Sequence, residues 1–509
     1  MAGGTILAID LGTSEVRVGL VDLEGRVRGL ARRRYPTRVG GGAAERAEQD
    51  PEAWWAAIVA AAAELGASEP GASELEASEP EVSQLEGSEP GAPPLAIGVT
   101  AHGPTLVAAD AEGRPVRPAI VGRDRRAQAE HDTIAAATGQ SGWQLGVLPA
   151  ALWVVRHEPE AARSTRWFLH AWEWLGLRLT GRAAATADPD RPPLDPAPLA
   201  ALGLDPGRIP EPVRPGEPLG GLTPEAAAAL GVPAGTPVVQ GLNDGYASLL
   251  GAGLRRPGEA VDTGGASGGF AVYVERPVVI PGVFAGPAPL PGLTVIGGAM
   301  AATGRALDWL REEILGGASL ETLLAEAAAV PPGAEGLVFL PYLAGERSPI
   351  WDPSARGAFV GLTLGHRRGH LVRAVLEAAA FAIRHVAEPI VAAGIEVREM
   401  RVAGGPARSE LWCRIKADAT GFPVAVPEVF ETALLGSAIL AATGVGAYPD
   451  VAAAIERMVR VARRLEPDPA VRPTYDAAFG VYRALYPALK PLLARREADG
   501  RIARATGGA

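Results

Sequence analysis

At 509 residues the chain has room for two or more domains with sizeable cores, and 48% hydrophobic with 21% charged residues is the composition of a soluble globular protein. The net charge of −10 argues against nucleic acid as a partner, and much of it is local, because seven glutamates without a compensating base lie within residues 66–94. A single cysteine, Cys413, excludes an internal disulfide and an iron–sulfur cluster, so a packing role for it and a cytoplasmic location are expected.

In chain order, residues 6–22 read ILAIDLGTSEVRVGLVD. An apolar run ends at Asp10, passes through a Gly/Thr/Ser turn and resumes as a strand, which predicts a β-hairpin. Gly12 lets the backbone approach a ligand, and turn N–H groups with the Thr13 and Ser14 hydroxyls can converge on phosphate oxygens. Strand-like sequence starts within a few residues of Met1, which leaves no room for a signal peptide. A helix carrying Trp54 and Trp55 follows, then residues 66–94, a degenerate five-residue repeat in which Ser-Glu-Pro recurs. Its apolar content is too low to offset ordering entropy, so a mobile surface loop is expected. Next come a strand at 95–99, a helix-rich region with five tryptophans that include Trp172 and Trp174, and a proline-rich passage at 189–218. Residues 237–241 then lead into Leu242-Asn-Asp-Gly-Tyr, where Asp244 stands at a strand-to-helix turn.

Residues 260–275, AVDTGGASGGFAVYVE, repeat the opening phrase with Asp262 in the place of Asp10. Either phrase alone is an ordinary glycine hairpin; one in each half points to two turns that face each other and grip a polyphosphate. Residues 277–304 carry no charge, but five prolines exclude a membrane helix and predict strands and turns. The second half then alternates: a strand at 336–340, a helix at 370–385, a strand at 399–403 and a helix from Ser409. The only lysines, Lys416 and Lys490, are not in a Gly-Lys-Ser/Thr context, so a P-loop is excluded.

Six segments carry a resemblance: the opening hairpin, AEQDPEAWW at 47–55, EGRPVRPAIVGRDRRA at 112–127, GLNDGYASLLGAG at 241–253, YLAGERSPIWDPSARGAFVGLTLGH at 342–366 and AGGPARSELWCRIKADATGFPV at 403–424. On these the chain resembles the FGGY carbohydrate kinases, nearest the xylulokinase-like members. The resemblance implies an α/β fold of two actin-like or hexokinase-like (ribonuclease H-like) domains with an interdomain cleft. Residues 1–252 would be the N-terminal domain, with sugar site and base, and 253–509 the nucleotide-binding C-terminal domain. It implies ATP and Mg2+, with Asp10 near the magnesium through water and Asp244 as the catalytic base rather than a plain helix cap. The phosphate grip would be Gly12, Thr13, Ser14 and Arg17 with Gly265, Ser267 and Gly268. Gly304, Gly404, Gly405 and Ser409 would meet the nucleoside, while His102, Asp124 and Asp244 would meet a small sugar or polyol. A homodimer without membrane or nucleic-acid partners completes the expectation.

The chain departs from the family pattern at several points. Arg17 stands where relatives often have lysine, and Ala266 where they usually have threonine. Gly103-Pro104 replaces the Met-His pair of xylulokinases, and Gly122-Arg123 precedes Asp124 where they have Trp-Asn. His102 is therefore open between a sugar contact and a packed side chain, and Trp172 and Trp174 fit a core better than a sugar stack. His366 and His370 share helical spacing but lack further metal ligands, and Glu377 reads as a polar anchor. Two functions follow: an ATP-dependent kinase of a ketopentose such as xylulose or of a related ketose or polyol, or a catalytically altered ATP-binding regulatory protein.

Overall fold

The computed structural model describes residues 4–39, 46–67, 92–140, 142–187 and 195–506. The Ser-Glu-Pro repeat, expected as a mobile loop, lies almost wholly outside the described residues. The chain forms two compact units, Met1–Gly251 with Glu431–Val459, and Ala252–Phe430 with Arg460–Ala509.

In the first unit Thr5–Leu11 is buried at every position but its first, as a strand covered on both faces must be. It pairs antiparallel with Glu15–Asp22, which pairs antiparallel with Val27–Arg34. On its other side it runs parallel to Ala96–Ala101, and that strand is parallel to Pro237–Val239 and to the short strand Leu242–Asn243. The second unit repeats this plan. Glu259–Asp262 pairs antiparallel with Gly269–Val274, which pairs antiparallel with Thr294–Ala299, and it is parallel to Glu399–Val402 on its other edge. Each unit thus sets an antiparallel three-strand run beside parallel strands in a seven-stranded sheet, the ribonuclease H-like arrangement. The uncharged stretch 277–304 supplies the strands Phe284–Pro287 and Thr294–Ala299 and the entry to the helix Thr303–Trp309.

The helix predicted at 370–385 extends over Arg368–Ala392, and within it the buried Glu377 takes a 2.8 Å bond from Arg373 and one of 2.9 Å from Gly333 N–H. Cys413 is fully buried, as is Trp174, whose indole donates to Gly113 O at 2.9 Å. Among the described residues no helix is long and apolar enough to cross a membrane.

The segment Glu431–Val459, which a division at 252 assigns to the second half, belongs with the first unit. Glycines explain how. A Cβ at Gly436 would sit 2.0 Å from Ala247 O, and one at Gly251 would sit 1.9 Å from Thr432 O, so the helices Asp244–Gly251 and Thr432–Gly444 meet backbone to backbone. The helix led by Asp244 is thereby seated on a segment that joins it from some 190 residues further along the chain.

Candidate active site

The first hairpin ends its leading strand at Asp10, which is 3% exposed. Arg17 on the return strand donates from Nη1 to Asp10 Oδ2 at 3.0 Å and from Nη2 to Glu15 Oε1 at 2.6 Å. Among the described residues the buried Asp10 Oδ1 has no hydrogen-bond partner. Burial pushes the Asp10 carboxyl up, and the Arg17 charge and hydrogen bond pull it back in part. Gly12 N–H closes the turn on Glu15 O at 3.0 Å, which leaves Thr13 and Ser14 exposed at its tip.

Two residues that no motif singled out brace this turn from behind. Gln49, 1% exposed, donates to Thr13 O at 2.7 Å and accepts from the Trp54 indole at 3.1 Å; Tyr35 donates its hydroxyl to Gly12 O. Gln49 lies inside the AEQDPEAWW segment, so that resemblance was its one sequence signal, whereas Tyr35 had none.

Asp244 opens the helix Asp244–Gly251 directly after the strand Leu242–Asn243 and is half-buried. Its Oδ1 accepts from Gly245 N–H at 2.7 Å. Its carboxyl is pushed up to about 7, first by burial and then by the Asp10 charge, against opposing pulls from Gly245 N–H, Arg17 and the Asn243 amide. Asp10, Arg17 and Asp244 therefore share one electrostatic neighbourhood.

The expected sugar residues are arranged differently. His102 is 5% exposed, bonds Thr105 Oγ1 through Nδ1 at 2.9 Å, and stands edge-on to Trp54 with ring centres 5.5 Å apart. Burial lowers its pKa to about 4, so the ring is neutral, and its buried Nε2 has no hydrogen-bond partner among the described residues. Asp124 is saturated: Oδ2 accepts from Ala47 N–H at 2.6 Å and Arg126 Nη2 at 2.7 Å, and Oδ1 from Arg126 N–H at 3.0 Å and Nε at 2.9 Å. Four donors fill its acceptor sites, and none is left for a sugar hydroxyl in this arrangement. A side chain at Gly103 would strike the Trp172 ring at 2.8 Å, so the volume that Met-His would need is taken by Trp172.

In the second unit the hairpin carries Asp262 where the first carries Asp10. Asp262 is 2% exposed; Oδ1 accepts from Gly264 N–H at 3.0 Å, and Oδ2 pairs with Nζ of the equally buried Lys416 on the helix Glu410–Thr420. Gly265, at φ +77°, and its neighbours Ala266 and Ser267 are exposed at the tip. The N-terminus of the helix Thr303–Trp309 clamps them: Ser267 O accepts from Thr303 N–H at 3.1 Å, Ala266 O from Arg305 N–H at 2.9 Å. A Cβ on Gly304 would lie 2.2 Å from Gly265 O, so only glycine allows this contact. Gly404 touches the same turn, where a Cβ would lie 3.3 Å from Gly265 N, Gly405 faces open space, and Ser409 caps its helix by accepting from Trp412 N–H at 3.2 Å. Gly265, Ser267, Gly268, Gly304 and Gly404 are thus brought together within one unit, with Gly405 and Ser409 flanking them. His366 and His370 lie 5.2 Å apart with His370 bonded to Glu335, and among the described residues no group of three or more His, Cys, Asp or Glu could hold a metal.

The chain matches the N-terminal domain of the FGGY family of carbohydrate kinases over residues 5–251 and the C-terminal domain over residues 262–445. It belongs to that family. It is a carbohydrate kinase and hence a phosphotransferase, and carbohydrate kinases of this family use ATP. This FGGY kinase is 33% identical to xylulose kinase of Escherichia coli (strain K12) over 435 residues, 82% of this chain and 84% of that one. It is 34% identical to glycerol kinase of Thermus brockianus over 390 residues, 69% of this chain and 76% of that one. The crystal structure of xylulose kinase from Rhodospirillum rubrum matches it with a TM-score of 0.76 at 32% identity, over 96% of this chain and 99% of that one. Relatives that act on a ketose and on a polyol make the kinase's substrate a sugar or polyol.

Proposed function

We propose that this kinase transfers the γ-phosphoryl group of magnesium-ATP to a hydroxyl of a ketopentose such as xylulose, or of a related ketose or polyol, with Asp244 as the base. The observation that carries this reading is the Asp244 carboxyl at about 7, beside Asp10 and at the head of a firmly seated helix. Such a group is about half ionised at pH 7 and basic enough to take the proton as the hydroxyl oxygen attacks phosphorus and ADP leaves.

Asp10 fits a magnesium ion held mostly through water, because Oδ1 is buried with no hydrogen-bond partner and magnesium keeps much of its hydration. When bound, the ion neutralises phosphate charge. Gly12, Thr13, Ser14 and Arg17 are assigned to the phosphates, as are Gly265, Ser267 and Gly268. Gly304, Gly404, Gly405 and Ser409 are assigned to the nucleoside. Ala266 removes one hydroxyl from this set and leaves its backbone N–H groups.

The saturated Asp124 and the Trp172 ring over Gly103 give this chain a sugar wall unlike the Met-His and Trp-Asn-Asp of xylulokinases, which supports a ketose or polyol other than xylulose as readily as xylulose itself. A homodimer in the cytoplasm suits the family resemblance and the lone buried cysteine, and sedimentation velocity tests the assembly. The decisive experiment measures ADP release with magnesium-ATP across pentuloses, hexuloses, pentitols, glycerol and erythritol. One acceptor should stimulate release in the wild type and not in Asp244→Asn. ATP binding without stimulation by any acceptor would defeat the proposal and favour the regulatory alternative.

A further inference from the structure

The strand Leu242–Asn243, which delivers Asp244, is two residues long and lies off the main path of its sheet. Two threonine hydroxyls hold this stretch. Thr100 Oγ1 donates to Leu242 O at 2.8 Å, and Thr186 Oγ1 donates to Gly241 O at 3.1 Å. Gly241 lies so close to the neighbouring strand that a Cβ would be 2.2 Å from Val99 O, so its peptide cannot be re-aimed without lifting the chain.

Thr186 is itself fixed on every side. Its N–H donates to Glu173 Oε1 at 2.7 Å, and Glu173, 4% exposed, also accepts from His170 N–H at 2.8 Å. Its hydroxyl accepts from the Trp172 indole at 2.7 Å and from Gln240 Nε2 at 2.6 Å. A hydroxyl has two acceptor sites and one proton; with both sites taken, the hydroxyl is left to donate, and Gly241 O stands 3.1 Å away. The segment around Thr186 has no strand or helix signal in the sequence, yet it joins the helix Ala171–Thr180, Gln240 and the approach to Asp244 at one atom.

We propose that Thr186 is a positioning residue for phosphoryl transfer: its hydroxyl fixes the height of Gly241 and, through Leu242–Asn243, the direction in which Asp244 meets the acceptor hydroxyl. The inference rests on the reading of Asp244 as the base. Steady-state kinetics of the full chain with its best acceptor test it. Thr186→Val keeps the shape without the hydroxyl and should lower kcat about 10- to 100-fold, the scale of a base misplaced by about an ångström, with KM for ATP within about twofold of wild type. Thr186→Ser should restore kcat, which a role in packing alone would not produce. If valine does not fold, Thr186→Ala, which cannot overpack, poses the same question against serine. Wild-type kcat in the variants that lack the hydroxyl, or a serine variant as impaired as they are, overturns the proposal. Asp244→Asn run alongside separates the two ideas: full turnover there removes the base itself, whereas a dead Asp244→Asn beside an unimpaired Thr186→Val removes only the positioning role.

Discussion

The two hairpins begin from one phrase and end as different devices. In each, a buried aspartate closes the leading strand. Asp10 keeps one oxygen free of hydrogen bonds and shares the other with the partly exposed Arg17, whereas both oxygens of Asp262 are consumed by Gly264 N–H and by Lys416. The difference lies in what each sheet is offered from a distance. The helix Glu410–Thr420 brings a buried ammonium to Asp262; at Asp10 the guanidinium comes from the hairpin's own return strand, and the buried Oδ1 has no hydrogen-bond partner among the described residues.

The contrast breaks most sharply at Asp262. Asp262→Asn strands the Lys416 charge in the interior and should cost about 3–5 kcal/mol in urea unfolding. Asp262→Asn combined with Lys416→Met should recover much of that loss, and a double variant no better than the single would refute the pairing as the cause.

Asp10→Asn should do the opposite. Stability is expected to hold, while kcat with magnesium-ATP falls about 100-fold, roughly 2.7 kcal/mol of barrier. Equal unfolding costs for the two asparagine variants would erase the distinction between the hairpins.

Asp244 adds a pH signature. Its folded-state pKa, about 7, is raised above the ordinary aspartate value, so the stability it contributes is present in acid and is lost as pH rises towards and through 7. Asp244→Asn should therefore be more stable than wild type at pH 8, by on the order of 2 kcal/mol in unfolding free energy, and show little gain near pH 4. Wild-type kcat/KM should fall below about pH 7 as the base takes up its proton, a limb to be read from a pH–rate profile.

The smallest effect is expected at Ala266. Ala266→Thr adds a hydroxyl at the exposed tip of the second hairpin and should lower KM for ATP by about two- to fivefold with kcat unchanged, one modest hydrogen bond measured in a titration of ATP.

Much of the architecture was legible in the chain alone because it rests on short-range rules. Asp10, Gly12 and the alternating return strand predict the first hairpin, five prolines predict strands in place of a membrane helix, and Leu242-Asn-Asp-Gly sets Asp244 at a helix start. Partner choice between residues far apart was not legible. Asp124 read as a free sugar ligand until Arg126 and Ala47 filled its lone pairs, and nothing near Thr186 announces a bond to Gly241. The glycines that seat the helix Thr432–Gly444 against Asp244–Gly251 are also silent in hydrophobic periodicity, because a missing side chain signals only when the backbone that replaces it is known. By itself the sequence determined many of the elements and the two glycine hairpins, since backbone sterics act within a few residues, and the family resemblance named Asp244 as the candidate base. Only the tertiary structure decided which aspartate stays open and which is locked by Lys416, since burial and a counter-charge about 150 residues away set the state of a carboxylate.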